Sequence, residues 1–160
     1  MTDADQTMLA INDAVVLGRQ GDIPAAREAL VALWDSVGVT GDALHRCTIA
    51  HYLADLYDHA ADSLTWDLRA LDAAESLTDE RARQQDSALS VRGFYPSLHL
   101  NLADNFRRLG AFDSARAHLD AARRRLDALA DDAYGQGVRD GISHVETALA
   151  EGSMERLATH

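Results

Sequence analysis

The stretch "HLNLADNFRRLGAFDSARAHLDAA", residues 99–122, decides how the rest of the chain is read. Its Leu, Ala and Phe recur at helical intervals, break at Gly110, and resume beyond it, which predicts two helices joined by a tight turn. Outward from it the same plan returns. In residues 6–20, Met8, Ile11, Val15, Ala14 and Leu17 share one broad face. "GD" at 21–22 ends that helix and starts the next, with Asp22 as N-cap and Pro24 in the first turn, where a missing N–H costs little. The second helix turns Ala26, Leu30, Leu33 and Trp34 inward. "SVGVTGD" at 36–42 is a turn, and Thr40 or Asp42 opens a third helix through Cys47, Ala50, Leu53, Ala54 and Tyr57. A fourth, from about Ala61, places Leu64, Leu68 and Leu71 inward. Thr78 reads as an N-cap for a further segment, and Pro96 either kinks one long helix or begins a new one. Beyond Gly110 the inward set is Ala115, Leu119, Ala122, Leu126 and Leu129. A last helix, about 133–150, carries Val138, Ile142, Val145 and Leu149, with Gly137 and Gly141 allowing close packing.

Composition agrees with an all-α domain. Of 160 residues, 47% are hydrophobic and 6% aromatic, with two prolines, and strand-type alternation is hard to find. No apolar run approaches the roughly 20 residues of a membrane span, and the opening "MTDADQTMLA" is acidic where a signal peptide is basic. These features, with the lone Cys47, predict a cytoplasmic protein. A formal charge of −11 would repel a phosphate backbone, so nucleic acid is not an expected partner. All fifteen basic residues are Arg, a bias that suggests a GC-rich bacterial source such as an actinobacterium.

The helix pairs also match one another. "LAD" occurs at 53–55 and at 102–104, with Tyr57 and Phe106 each three residues after its Ala. Ala14, Leu17, Gly21, Ile23, Ala26, Leu30 and Leu33 have the spacing of Ala103, Phe106, Gly110, Phe112, Ala115, Leu119 and Ala122. His99-x2-Leu102-Ala103-x2-Phe106, then Ala115-x3-Leu119, resembles the tetratricopeptide repeat pattern W-x2-L-G-x2-Y, then A-x3-F. The second pair fits if its turn is about two residues shorter. The resemblance covers roughly residues 8–130. It implies a right-handed superhelical array of three helix hairpins (6–37, 40–77, 94–130) with an extra helical segment at 79–92 and a cap at 133–150, all one domain. The two "LAD" triplets stand further apart than the family's period of about 34 residues, and the closing proline is missing.

Such an array would bind a peptide or helix in a concave groove. The matched register puts Thr48, His51, Asp55, Asp58 and His59 there from the second pair, and Ser97, Leu100, Asn101, Asp104, Arg107 and Arg108 from the third. The family's carboxylate clamp uses Lys, which this chain lacks, but Arg107 and Arg108 with Asn101 could bind a carboxylate bidentately, or could simply pair with nearby Asp. The groove set is therefore His51, Asp55, Asn101, Asp104, Arg107 and Arg108.

Other chemistry has thinner support. His51, Asp55 and His59 at i, i+4, i+8, with Asp104 facing them, would suit zinc and a hydrolytic centre. Cys47 and His51 form an i, i+4 thiol–imidazole pair, although a buried thiol is the plainer reading. "RRR" at 123–125 lies near Asp120 and Asp127 and reads as a solvated ion-pair face. "YGQGVRDGISH" follows no strand and lacks Lys-Ser or Lys-Thr, so no phosphate loop and no cofactor is expected. The leading expectation is a protein-binding scaffold without a metal or catalysis of its own. The alternatives are a self-associating homodimer through the apolar "VVL" at 15–17 or the last helix, and the His/Asp metal enzyme.

Overall fold

The computed structural model describes residues 3–81 and 91–157, and among these the regular structure is helical. The helices are α1 (Asp3–Arg19), α2 (Ile23–Val37), α3 (Ala43–Ala54), α4 (Ala60–Glu75), α5 (Val91–Arg108), α6 (Phe112–Arg123) and α7 (Ala133–Ala150), with a 3-10 turn at Leu126–Ala128. The chain divides into two compact units, 1–89 and 90–160. Within the first, α1 packs on α2 and α3, α2 on α3, and α3 on α4. Within the second, α5, α6 and α7 pack pairwise.

Two of the three helix pairs turn by the same device. Gly21 and Gly110 have φ of 94° and 78°, left-handed conformations that a Cβ disfavours. The residue after each, Asp22 at φ −86°, ψ 70° and Ala111 at φ −88°, ψ 69°, repeats the backbone almost to the degree. The capping bonds repeat as well. Asp22 N–H donates to Leu17 at 3.0 Å and Ala111 N–H to Phe106 at 2.8 Å, each reaching back five residues. Directly beyond the turns, Ala26 and Ala115 are fully buried, followed by Leu30 and Leu119 at 0% and 3% exposure. The repeat seen in sequence is thus a repeat of hairpin geometry. Gly152 ends α7 in the same way, at φ 67° with Ser153 N–H donating to Ala148 at 2.9 Å.

The α3–α4 pair is built differently. No glycine turns it. α3 closes at Asp55, and His59 caps α4 without a side-chain bond, while Ser63 Oγ donates to the Ala54 carbonyl at 2.8 Å and staples the two helices. Its inward stripe also corrects the expected one. Leu68 is 45% exposed, and the buried positions of α4 are Ser63, Trp66, Asp67, Ala70, Ala73 and Ala74. Small alanines let α4 approach α3 closely, and the bulkier leucines rotate to the margin. Trp66 meets Trp34 edge to face at 5.2 Å, with Arg69 over both rings, so both tryptophans are core as expected.

The caps expected at Asp22, Asp42 and Thr78 form, accepting from Ala25, His45 and Arg81 N–H. Asp132, which the sequence reading did not single out, caps α7 by accepting from Gly135 N–H. Residues 79–81 are helical, and the rest of the extra segment expected at 79–92 lies outside the described residues up to Val91. Pro96 sits inside the continuous α5. In the second unit Leu100, Ala103, Leu119, Val138, Ile142 and Val145 belong to one core. Leu109 is 43% exposed. Gly141 and Gly135 are the buried glycines of α7, whereas a Cβ on Gly137 would meet nothing.

The two hairpin glycines offer a paired test. A Cβ on Gly21 meets no atom within 4 Å, while one on Gly110 comes 3.2 Å from Met154 Cε. Gly21→Ala should cost about 1 kcal/mol through backbone conformation alone. Gly110→Ala should cost more, and urea denaturation of both variants measures the difference.

Candidate functional site

The six candidate groove residues fall in both units, His51 and Asp55 in the first and Asn101, Asp104, Arg107 and Arg108 in the second. In the second unit the structure overturns half of that assignment. Arg107 is fully buried and Asp104 is 7% exposed. Arg107 Nε and Nη2 donate to Asp104 Oδ1 at 3.0 and 2.7 Å, and Nη1 donates to the Ser153 carbonyl at 2.8 Å. The i, i+3 spacing brings the pair together on α5, and the third bond ties that helix to the turn after α7. Neither side chain is available to a ligand in an open groove. Leu100, 4% exposed, is likewise core. Asn101 and Arg108 are half-buried at the surface.

In the first unit Asp55 is exposed and His51 half-buried. His51 Nδ1 is buried without a hydrogen-bond partner, and burial lowers its pKa against the opposing pull of Asp55. The proposed His51, Asp55, His59 stripe does not form. α3 ends at Ala54 and His59 is an exposed, extended residue at the start of α4, so the eight-residue helical register is broken between them. Among the described residues no group of three His, Cys, Asp or Glu is placed to hold a metal ion. Cys47 is 5% exposed, and burial pushes its thiol up to about 12. It stays protonated near neutral pH, which deprives the Cys47–His51 pair of a nucleophile.

Asp55 does border a cleft of about 300 Å³ between α1, α2 and the end of α3. Its walls are apolar, with Arg19, Tyr52 and Asp55 as its polar members. Nearby, Arg27 donates to the Leu56 carbonyl at 2.8 Å and lies 4.8 Å from the Tyr57 ring centre.

Two polar clusters escaped the sequence reading. In the first unit Arg81 Nε donates to Asp42 Oδ2 at 2.6 Å, and its Nη2 lies 3.2 Å from His45 Nε2. Burial works to raise the Asp42 carboxyl, but the bond from Arg81, the bond from the His45 amide and the electrostatic pull of the His45 and Arg81 side chains outweigh it and hold the group below its usual value. In the second unit Tyr95, His99, His118 and Phe106 form a stacked series, with Arg125 over Tyr95. His99 and His118 approach Nδ1 to Nδ1 at 3.1 Å. They sit on opposite arms of the hairpin, a pairing that follows from sequence only once the Gly110 turn is fixed. "RRR" is likewise put to local use. Arg123 pairs with Glu146 and, at 3.5 Å, with Asp120, while Arg125 Nη1 donates to the Ala121 carbonyl at 3.0 Å.

The histidine pair has one hydrogen for two facing nitrogens, so one Nδ1 donates and the other accepts. Burial first, then the charges of Arg125, His118 and Arg124, lowers His99 to about 4, and burial lowers His118. His99 is therefore neutral near pH 7.

Set beside family models, curated proteins and solved structures, the chain gives no match. No helix among the described residues is long and apolar enough to cross a membrane.

Two outcomes follow from this geometry. Asp104→Ala leaves the Arg107 guanidinium buried without its carboxylate and should cost about 3–5 kcal/mol, whereas replacing both residues with apolar side chains should recover much of the loss. Thermal melting of the single and double variants checks this. An unfolded histidine binds its proton near pH 6.5. Below that pH the unfolded chain takes up protons that the folded His99 refuses until about pH 4, so stability is lost as pH falls through that window. His99→Phe should flatten the melting profile between these limits, read as a difference from wild type so that the carboxylates cancel.

Proposed function

We propose that the chain is an interaction module, a set of tetratricopeptide-like helical hairpins that presents a surface to a protein or peptide partner and performs no chemistry of its own. The observation that supports this most is the repeated hairpin turn. Gly21–Asp22 and Gly110–Ala111 share dihedral angles and capping bonds, and the buried Ala and Leu positions follow each turn at the same spacing. Repeated helix pairs with fixed turns suit recognition because the surface is ordered before the partner arrives. The titratable side chains fit the same reading. Arg107, Asp104, His99 and His118 are engaged with one another inside the second unit. In this reading the chain acts in the cytoplasm, and the remaining candidates to meet a partner are Asp55 on the first unit and, separately, Asn101 and Arg108 on the second.

A second reading, self-association, draws on a separate observation. Leu9 and Val16 on α1 are each 45% exposed, more apolar surface than one buried helical stripe requires.

The test of the leading reading is affinity capture from lysate of the native host with wild type, Asp55→Arg and Arg108→Glu. These two positions leave the Arg107–Asp104 pair intact. A short peptide partner should bind in the micromolar range, about −8 kcal/mol. Loss of that partner in either variant with unchanged helicity supports the module. Capture of nothing but the chain itself, together with a mass that doubles with concentration in light scattering, favours self-association.

A further inference from the structure

The first hairpin leaves apolar surface uncovered. A shallow groove of about 400 Å³ runs between α1 and α2, lined by Ala10, Asp13 and Leu17 from the first helix and Ala29, Ala32 and Leu33 from the second. Leu9 and Val16, each 45% exposed, flank it on α1. Ala29 and Ala32 keep that side of the groove low, so a helix backbone can approach closely, and Leu17 and Leu33 supply apolar side chains for it to pack against.

The charges around this groove share one sign. Asp13 lies in it, and Glu28 and Asp35 stand one helical turn before and after Ala32, on the same side of α2. All three are exposed. The arginines of the hairpin do not offset them. Arg27 is directed to the Leu56 carbonyl and the Tyr57 ring, and Arg19 lines the other cleft with Tyr52 and Asp55. A second copy would bring these acids against themselves across a two-fold axis, in a chain already at a formal charge of −11, and so fits poorly.

We infer that the α1–α2 groove is a docking surface for an amphipathic helix of a partner protein, with an apolar stripe seated between Leu17, Leu33 and the alanines and with basic flanks facing Asp13, Glu28 and Asp35. This rests on the reading of the chain as an interaction module and adds the place and the chemistry of one partner. Helix-in-groove binding needs apolar anchors at i, i+3, i+4 and i+7, and opposite charge on the rim selects the partner and speeds encounter.

The probe is a synthetic helix-forming peptide with leucine at those anchor positions and lysine flanks, beside a twin with glutamate flanks. Each is titrated by fluorescence anisotropy into the full chain. The lysine peptide should saturate, weaken as salt is raised, and bind at least about tenfold more tightly than its twin. Ala32→Arg, a change at an exposed position, should abolish binding without altering the circular dichroism. Asp13→Lys with Glu28→Lys and Asp35→Lys should invert the preference between the twins. Equal binding of the twins, or binding indifferent to Ala32→Arg, would overturn the inference. Preference for the glutamate twin, lost in Ala32→Arg, overturns the basic partner while the module reading stands. If neither peptide binds, yet a protein captured by wild type is lost by Asp55→Arg and kept by Ala32→Arg, the groove falls and the module survives. If the peptides fail and no protein is captured, both fall. A concentration-dependent doubling of mass abolished by Ala32→Arg assigns the groove to a second copy and overturns the inference.

Discussion

Reversing a helix within a few residues is the constraint on which both glycine hairpins depend. The last turn of α1 or α5 has carbonyls without helical partners, and the first turn of α2 or α6 has free N–H groups. A left-handed glycine swings the chain back so that the residue after it can donate to the carbonyl five residues earlier, as Asp22 does to Leu17 and Ala111 to Phe106. Once the turn is set, the next inward position falls at Ala26 or Ala115, both without exposed surface. The small side chain there lets the second helix lie close against the first. Turn geometry thereby fixes which residues meet across the pair, and the leucines that follow inherit their register from it.

The polar chemistry of the second unit is directed inward by the same geometry. Arg107 is placed by helical spacing above Asp104, and burial makes that contact costly unless every donor finds an acceptor. Asp104 and the Ser153 carbonyl provide for Nε, Nη2 and Nη1. The result connects α5 to the end of α7 through a charged side chain where a leucine could have packed. A pairing of this kind discriminates among registers, because a slipped helix would strand a guanidinium in the core. The stacked Tyr95, His99, His118 and Phe106 act similarly across the α5–α6 hairpin, with a directional bond between the two imidazoles.

Much of the fold was legible because its signals are local. Asp22, Asp42 and Thr78 cap helices where their side chains and the following residues said they would, and the Gly21 and Gly110 turns follow from breaks in periodicity. Trp34 and Trp66 were legible as core for the same reason. The α4 stripe was misread because leucine spacing was taken to mark the inward face, when alanine and serine formed the closer contact. The candidate site was less legible. Arg107 looks like a surface cation in sequence, since nothing local reveals that Ser153 will come round to accept its third bond. His51 and His59 share a helical stripe only if the helix continues past Asp55, and the end of α3 carries no glycine to announce itself. His118 drew no notice because its partner lies on the other arm of a hairpin.

Cys47 gives the molecule an internal clock. It is the chain's one cysteine, it lies on α3 at 5% exposure, and its raised pKa keeps the thiol unreactive while it is covered. An alkylating reagent gains access only when α3 separates from the helices packed on it, α1, α2 and α4, so the labelling rate under native conditions reports the free energy of that opening. The second unit contains no sulfhydryl. One thiol therefore times the breathing of the first unit alone, even with the second unit attached.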